Sequence, residues 1–138
     1  MSKIVYNACH GGFGLSHEAV MRYAEIKGIT LYTRMSYSVP QYFLCPPEEY
    51  DRIYAEEAAN PVSPDRYKRS NKMYFSGGGI GRADPVLVQV VEELGDKASG
   101  FCAELRIREL PAGTLYRIDE YDGFESVVTQ DEYEWDVA

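Results

Sequence analysis

Leu115-Tyr116-Arg117-Ile118-Asp119-Glu120-Tyr121-Asp122-Gly123-Phe124-Glu125-Ser126-Val127-Val128-Thr129 is the stretch that separates the fold classes open to this chain. An Asp-Gly pair between two runs rich in aromatic and β-branched residues is a tight-hairpin signal, because both residues tolerate the positive φ of a two-residue turn. The flanking runs therefore read as antiparallel strands. Upstream, Phe101 to Leu110 alternates, with Phe101, Ala103, Leu105 and Ile107 on one face and Glu104, Arg106 and Arg108 on the other. Pro111-Ala112-Gly113 supplies the turn between these blocks. The chain thus ends in a half-solvated antiparallel β-meander.

Helical signals precede the meander. Asp84 is an N-cap with Pro85 at the first helical position. Val86, Leu87, Val90, Val91 and Leu94 make an apolar face, and Gly95 closes the helix. Cys45-Pro46-Pro47-Glu48-Glu49 starts another, with acids at the positive end of the helix dipole and a stripe of Tyr50, Ile53, Tyr54 and Ala58. A third opens at Ser16, carries Val20, Tyr23, Ala24 and Lys27 on one face, and stops at Gly28. Strands are expected over Lys3 to Cys9, Ile29 to Tyr37 (ended by Pro40) and Lys72 to Phe75. The fold class is therefore α+β, a small mixed or antiparallel sheet with about three helices and a C-terminal β-meander. Residues 1–138 read as a single α/β domain, with 61–72 an exposed basic loop and 131–138 an acidic tail or a short last strand carrying Trp135.

Composition narrows the function. A net charge of −8 disfavours general nucleic-acid binding, which needs basic surface to displace counterions. Charge is also uneven. Arg66, Lys68, Arg69, Lys72 and Arg82 form a cationic segment, whereas Asp119, Glu120, Asp122, Glu125, Asp131, Glu132, Glu134 and Asp136 form an acidic one. A local cationic segment in an acidic protein suits a small anion better than a long polyanion. No apolar run is long enough for a membrane span, and the N-terminus lacks a signal-peptide layout. Three widely spaced cysteines, Cys9, Cys45 and Cys102, are no disulfide framework and fit the reducing cytoplasm. The tyrosine-rich composition, with short exposed strands, makes a homo-oligomer an expectation.

Two glycine-rich stretches stand where a ligand would sit. Gly11-Gly12-Phe13-Gly14 follows the first strand, and Ser76-Gly77-Gly78-Gly79-Ile80-Gly81-Arg82 lies ahead of the Asp84 helix. Helix N-termini carry unpaired amides and positive potential, and glycines let the backbone approach a phosphate. Neither stretch meets the dinucleotide or P-loop fingerprint, so tight connection alone also explains them. The candidate ligand-binding residues are Asn7, Gly11, Gly12, Phe13, Gly14, Ser16, Gly78, Gly79 and Arg82. Phe13 either stacks on a base or anchors the turn, and Arg82 offers a two-pronged contact to an anion. No catalytic set is assigned. Cys9 and His10 point opposite ways on an extended chain, and Cys9, His10 and His17 lack a four-ligand metal set. No cofactor is implied. The acids Asp119, Glu120 and Asp122 read as a solvated hairpin face.

One resemblance emerges from these motifs. Asn7-x-Cys9-x-Gly11-Gly12-Phe13-Gly14-Leu15-Ser16, Arg82-x-Asp84-Pro85-x-Leu87-Val88, Glu92-Glu93-Leu94-Gly95 and Glu120-Tyr121-Asp122-Gly123-x-Glu125 together look like a group of small tailed-bacteriophage proteins. The likeness covers the two ends of the chain and leaves 39–74 unsupported. It implies a phage protein acting in the host cytoplasm. By context, it implies a sponge that sequesters a signalling nucleotide of bacterial immunity without cleaving it. A module that binds a host protein through the acidic C-terminus, or a small nucleotide-processing enzyme, are the alternatives.

Overall fold

The computed structural model describes residues 1–60, 64 and 66–138. The elements follow in the order β1 (Ser2–Asn7), α1 (His17–Lys27), β2 (Tyr32–Ser36), β3 (Val39–Phe43), α2 (Pro47–Ala58), α3 (Lys68–Met73), β4 (Tyr74–Phe75), α4 (Pro85–Leu94), β5 (Leu105–Leu110), β6 (Tyr116–Tyr121) and β7 (Phe124–Thr129). The class is α+β, and every strand pairing among the described residues is antiparallel. The chain divides into two compact units, 1–23 with 80–138, and 24–79.

In the first unit, β5 takes β1 as its partner, with Val5 opposite Ile107 and Asn7 opposite Leu105. The β1–β5 ribbon buries both faces. On one, Ile4 and Leu110 pack with Val127, Ile118 and Tyr6. The other turns toward α4, to which Lys3 reaches across to pair with Glu92 at 3.0 Å. α4 forms as its caps dictate. Asp84 accepts from the Val86 and Leu87 amides, Pro85 opens the first turn, and Leu87, Val88, Val90 and Val91 are buried. α1 lies against α4 through Arg22 and Glu93, and Tyr23 donates its hydroxyl to Asp84 at 2.8 Å. The β6–β7 hairpin turns at Asp122-Gly123, whose φ values of 49° and 85° fit the two-residue turn that the Asp-Gly pair announces. Glu125, Val127 and Thr129 point inward from β7, and the opposite face is solvated.

The expectation that Phe101 shares a face with Leu105 does not hold. Phe101 is 99% exposed, and the strand starts only at Leu105. Cys102 adopts φ 68°, and Ser99 Oγ takes the Leu105 amide, so residues 99–104 turn instead of extending.

The 24–79 unit is centred on Phe43, fully buried between Tyr50 and Tyr74 at ring separations of 4.7 and 5.6 Å. Here a second strand follows the expected one. Within the expected range Ile29 to Tyr37 only Tyr32–Ser36 forms β2, and Pro40, expected to end the strand, lies inside β3. Tyr37 and Ser38 make the turn with φ 49° and 66°, without the glycine or asparagine that would announce it. Pro40 is tolerated because β4 pairs only with Tyr42 and Phe43, which leaves that stretch of β3 an open edge. A fourth helix, α3, takes up residues 68–72 of the expected basic loop. Its free amides at Arg69 and Ser70 donate to the Glu57 carboxylate at 3.1 and 2.7 Å, a cap supplied from α2. Of the expected loop, residues 61–63 and 65 lie outside the described residues. The acidic tail starts as a 3-10 turn, Gln130–Glu132, reciprocally capped by Thr129 and Glu132, and Arg108 pairs with Glu132 at 2.6 Å.

Candidate functional site

The site grows from the end of β1. Asn7 is fully buried and satisfies four neighbours at once. Its amide donates to Glu125 Oε1 at 2.9 Å, and its Nδ2 donates to the carbonyls of Cys9 and Gly123 at 2.8 and 2.9 Å. Its Oδ1 accepts from the Glu104 amide at 2.8 Å. A buried amide side chain with every position filled is a specifying joint, since any vacancy would cost the desolvation of an unpaired polar group. Here it fastens the glycine turn, the tip of the β6–β7 hairpin and the segment before β5.

Two glycines allow that closeness. A Cβ on Gly11 would lie 1.8 Å from the Cys102 carbonyl oxygen. A Cβ on Gly123 would lie 2.3 Å from the His10 carbonyl oxygen and 2.7 Å from the Gly12 nitrogen. Both are steric impossibilities for a larger residue unless the backbone moves.

Around this joint is a pocket of about 330 Å³, lined by Gly12, Phe13, Arg82, Ile118, Glu120, Gly123 and Glu125. Arg82 reaches Glu125 with both terminal nitrogens, Nη1 to Oε1 at 2.6 Å and Nη2 to Oε2 at 2.9 Å. Its guanidinium carbon lies 3.5 Å from the centre of the Phe13 ring. The flat cation is thus stacked on an aromatic face and forked onto a carboxylate, the two contacts for which arginine is shaped. Burial alone would raise the Glu125 carboxyl. The hydrogen bonds from Arg82 and the Asn7 amide, with the Arg82 charge, outweigh it and hold the group below the usual carboxylate range. Glu120, on the rim, accepts from the Gly123 amide at 2.7 Å.

The expected site residues separate into groups. Asn7, Gly12, Phe13 and Arg82 meet at the pocket or directly behind it. Gly11, Gly14 and Ser16 lie on the same turn but are fastened to the segment before β5. Gly14 accepts from Gly100 at 2.9 Å, and the Ser16 hydroxyl donates to Lys97 at 2.6 Å while accepting from Ala19 at 3.1 Å as the cap of α1. Gly78 and Gly79 belong to the 24–79 unit, in a 3-10 turn held by Ser76. Cys9 and His10 take different partners. The thiol donates to the Cys102 carbonyl at 2.7 Å, and the His10 ring lies 5.3 Å from that of Phe124.

Sequence reading missed Glu125, Glu120, Ile118 and Gly123 as pocket walls. The usable signal was parity. Glu125 shares its face with Val127 and Thr129, so a carboxylate there points inward and calls for a cation. Among the described residues, no three His, Cys, Asp or Glu side chains gather as a metal site, and no helix is long and apolar enough to cross a membrane. The fold and pocket define a small α+β protein with an arginine–carboxylate pair stacked beneath a glycine turn. Comparison with family models, curated proteins and solved structures returns no match.

Proposed function

We propose that the protein binds a small nucleotide in this pocket and does not transform it. The observation that supports this reading is the combination within one cavity of a flat Phe13–Arg82 stack and carboxylate acceptors, Glu120 on the rim and Glu125 behind. A nucleobase matches both, with its ring against the stack and its N–H groups toward the carboxylates. Arg82 is already neutralised by Glu125, so the phosphates extend outward past Gly12 at the pocket wall. Within the phage resemblance, such binding amounts to sequestration of a signalling nucleotide in the host.

The test is a thermal-shift screen against linear and cyclic nucleotides, followed by denaturation of the complex and mass analysis of the released ligand. Expected are a raised melting temperature for one nucleotide class, recovery of that ligand unchanged, and loss of the shift in Phe13→Ala. A screen without any shift, or a cleaved ligand, refutes the reading.

A further inference from the structure

We propose that a second, separate groove at the C-terminal end docks a basic peptide segment of a partner protein, with an apolar side chain against Trp135 and Lys or Arg side chains on the acidic rim. The groove encloses about 440 Å³ between Leu115, Tyr116, Arg117, Val128, Gln130, Tyr133 and Trp135. Its walls are apolar and open to water, with Trp135 81% and Leu115 67% exposed. Large aromatic surface left in water next to a concavity is the mark of an interaction site.

The groove is built before any partner arrives. Tyr133 donates its hydroxyl to Asp119 at 2.5 Å and accepts from Arg117 Nε, while the Arg117 guanidinium carbon lies 3.8 Å from its ring centre. Glu132, one residue earlier, is pinned by Arg108 and by the Thr129 amide. The tail is therefore anchored up to Tyr133, and the Trp135 ring stands 6.5 Å from that of Tyr133. The fixed Tyr133 face spares the partner part of the cost of ordering the groove.

Charge selects the occupant. The two cations beside the groove are already engaged, Arg117 by Asp119 at 2.9 Å and Arg108 by Glu132 at 2.6 Å. Glu134 and Asp136 flank Trp135, both exposed and neither paired with a cation among the described residues. Together with Asp119, Asp131 and Glu132, the rim has an excess of carboxylate. Such a rim repels nucleic acid and anionic membrane, and it repels a second copy of a chain whose net charge is −8. It attracts lysine and arginine.

Trp135 is the single tryptophan of the chain, so its emission reports on the groove directly. The probe is a tryptophan-free, acetylated hexapeptide of alternating arginine and leucine, titrated against the full chain in low and high salt. Expected is a saturable blue shift that weakens with salt, is absent for the Glu-Leu analogue, and weakens about fivefold in Glu134→Gln/Asp136→Asn. Leu115→Ser should weaken it as well. Phe13→Ala should leave it unchanged, which separates this outcome from that of the nucleotide screen. A flat titration, equal binding of the Glu-Leu analogue, an equal shift with anionic vesicles, or an emission that changes with protein concentration alone overturns the proposal.

Discussion

Arg82 and Glu125 are 43 residues apart in sequence and meet through two parallel hydrogen bonds of 2.6 and 2.9 Å, with side chains only 19% and 9% exposed. A pair this sheltered is costly to break from one side, because the remaining charge loses its counter-ion where solvation is poor. Arg82→Met should therefore destabilise the protein by about 3–5 kcal/mol. Glu125→Gln, which keeps the shape and a hydrogen-bonding oxygen, should cost less. The double variant Arg82→Met/Glu125→Leu should recover much of the loss. Urea unfolding midpoints with unchanged slope are the measurement.

The same pair sets an acid limb of stability. Glu125 titrates below the usual carboxylate range in the folded state. Its contribution is therefore fully present above the unfolded value of about 4.3 and is lost as pH falls through the lower folded value. Urea midpoints measured from pH 7 down to pH 3 should fall more steeply for the wild type than for Glu125→Gln. Glu57, Glu93 and Glu132 are lowered too, so the variant keeps part of the limb.

An alkaline limb belongs to Tyr23. Burial, then the hydrogen bond to Asp84 and its charge, push its hydroxyl up to about 12. A raised folded value stabilises below the unfolded value of about 10 and loses that contribution as pH climbs toward the folded one. Tyr23→Phe should lose about 1 kcal/mol at pH 8 and should show a shallower decline between pH 10 and 12.

Gly123→Ala should be far worse than Gly113→Ala. Both have φ of 85°, yet an added Cβ meets nothing within 4 Å at Gly113, whereas at Gly123 it meets His10 and Gly12 backbone. The Gly113 variant pays only the left-handed strain of about 1–2 kcal/mol. The Gly123 variant must also prise the hairpin tip away from the glycine turn. Loss of nucleotide-dependent thermal shift in that variant alone would be the accompanying readout.

Local chemistry was legible wherever a short signal determined local geometry. Asp84-Pro85 capped α4, Ser16 capped α1, and Asp122-Gly123 turned the last hairpin, each as its side chains and φ preferences require. What escaped was set from a distance. α3 depends on Glu57, eleven residues before the helix begins, for its cap. β3 carries a proline that only its open edge excuses. The pocket suffered most. Asn7, Phe13 and Arg82 were within reach as candidates because they lie in or near glycine-rich stretches, but Glu125 was counted only as one member of the acidic segment between Asp119 and Asp136. Its inward parity on β7 outweighs its formal charge once Arg82 is there to meet it.

The bond from the Asn7 amide to Glu125 spans 118 residues. During synthesis at about 5–20 residues per second, a nascent chain would wait on the order of ten seconds between making one end of that bond and making the other. Until then the Asn7 amide and Arg82 both lack the carboxylate they share. A chain cut short before β7 would lack Glu125, one wall of the pocket and the partner of Arg82, so the cavity closes only once that strand has been made.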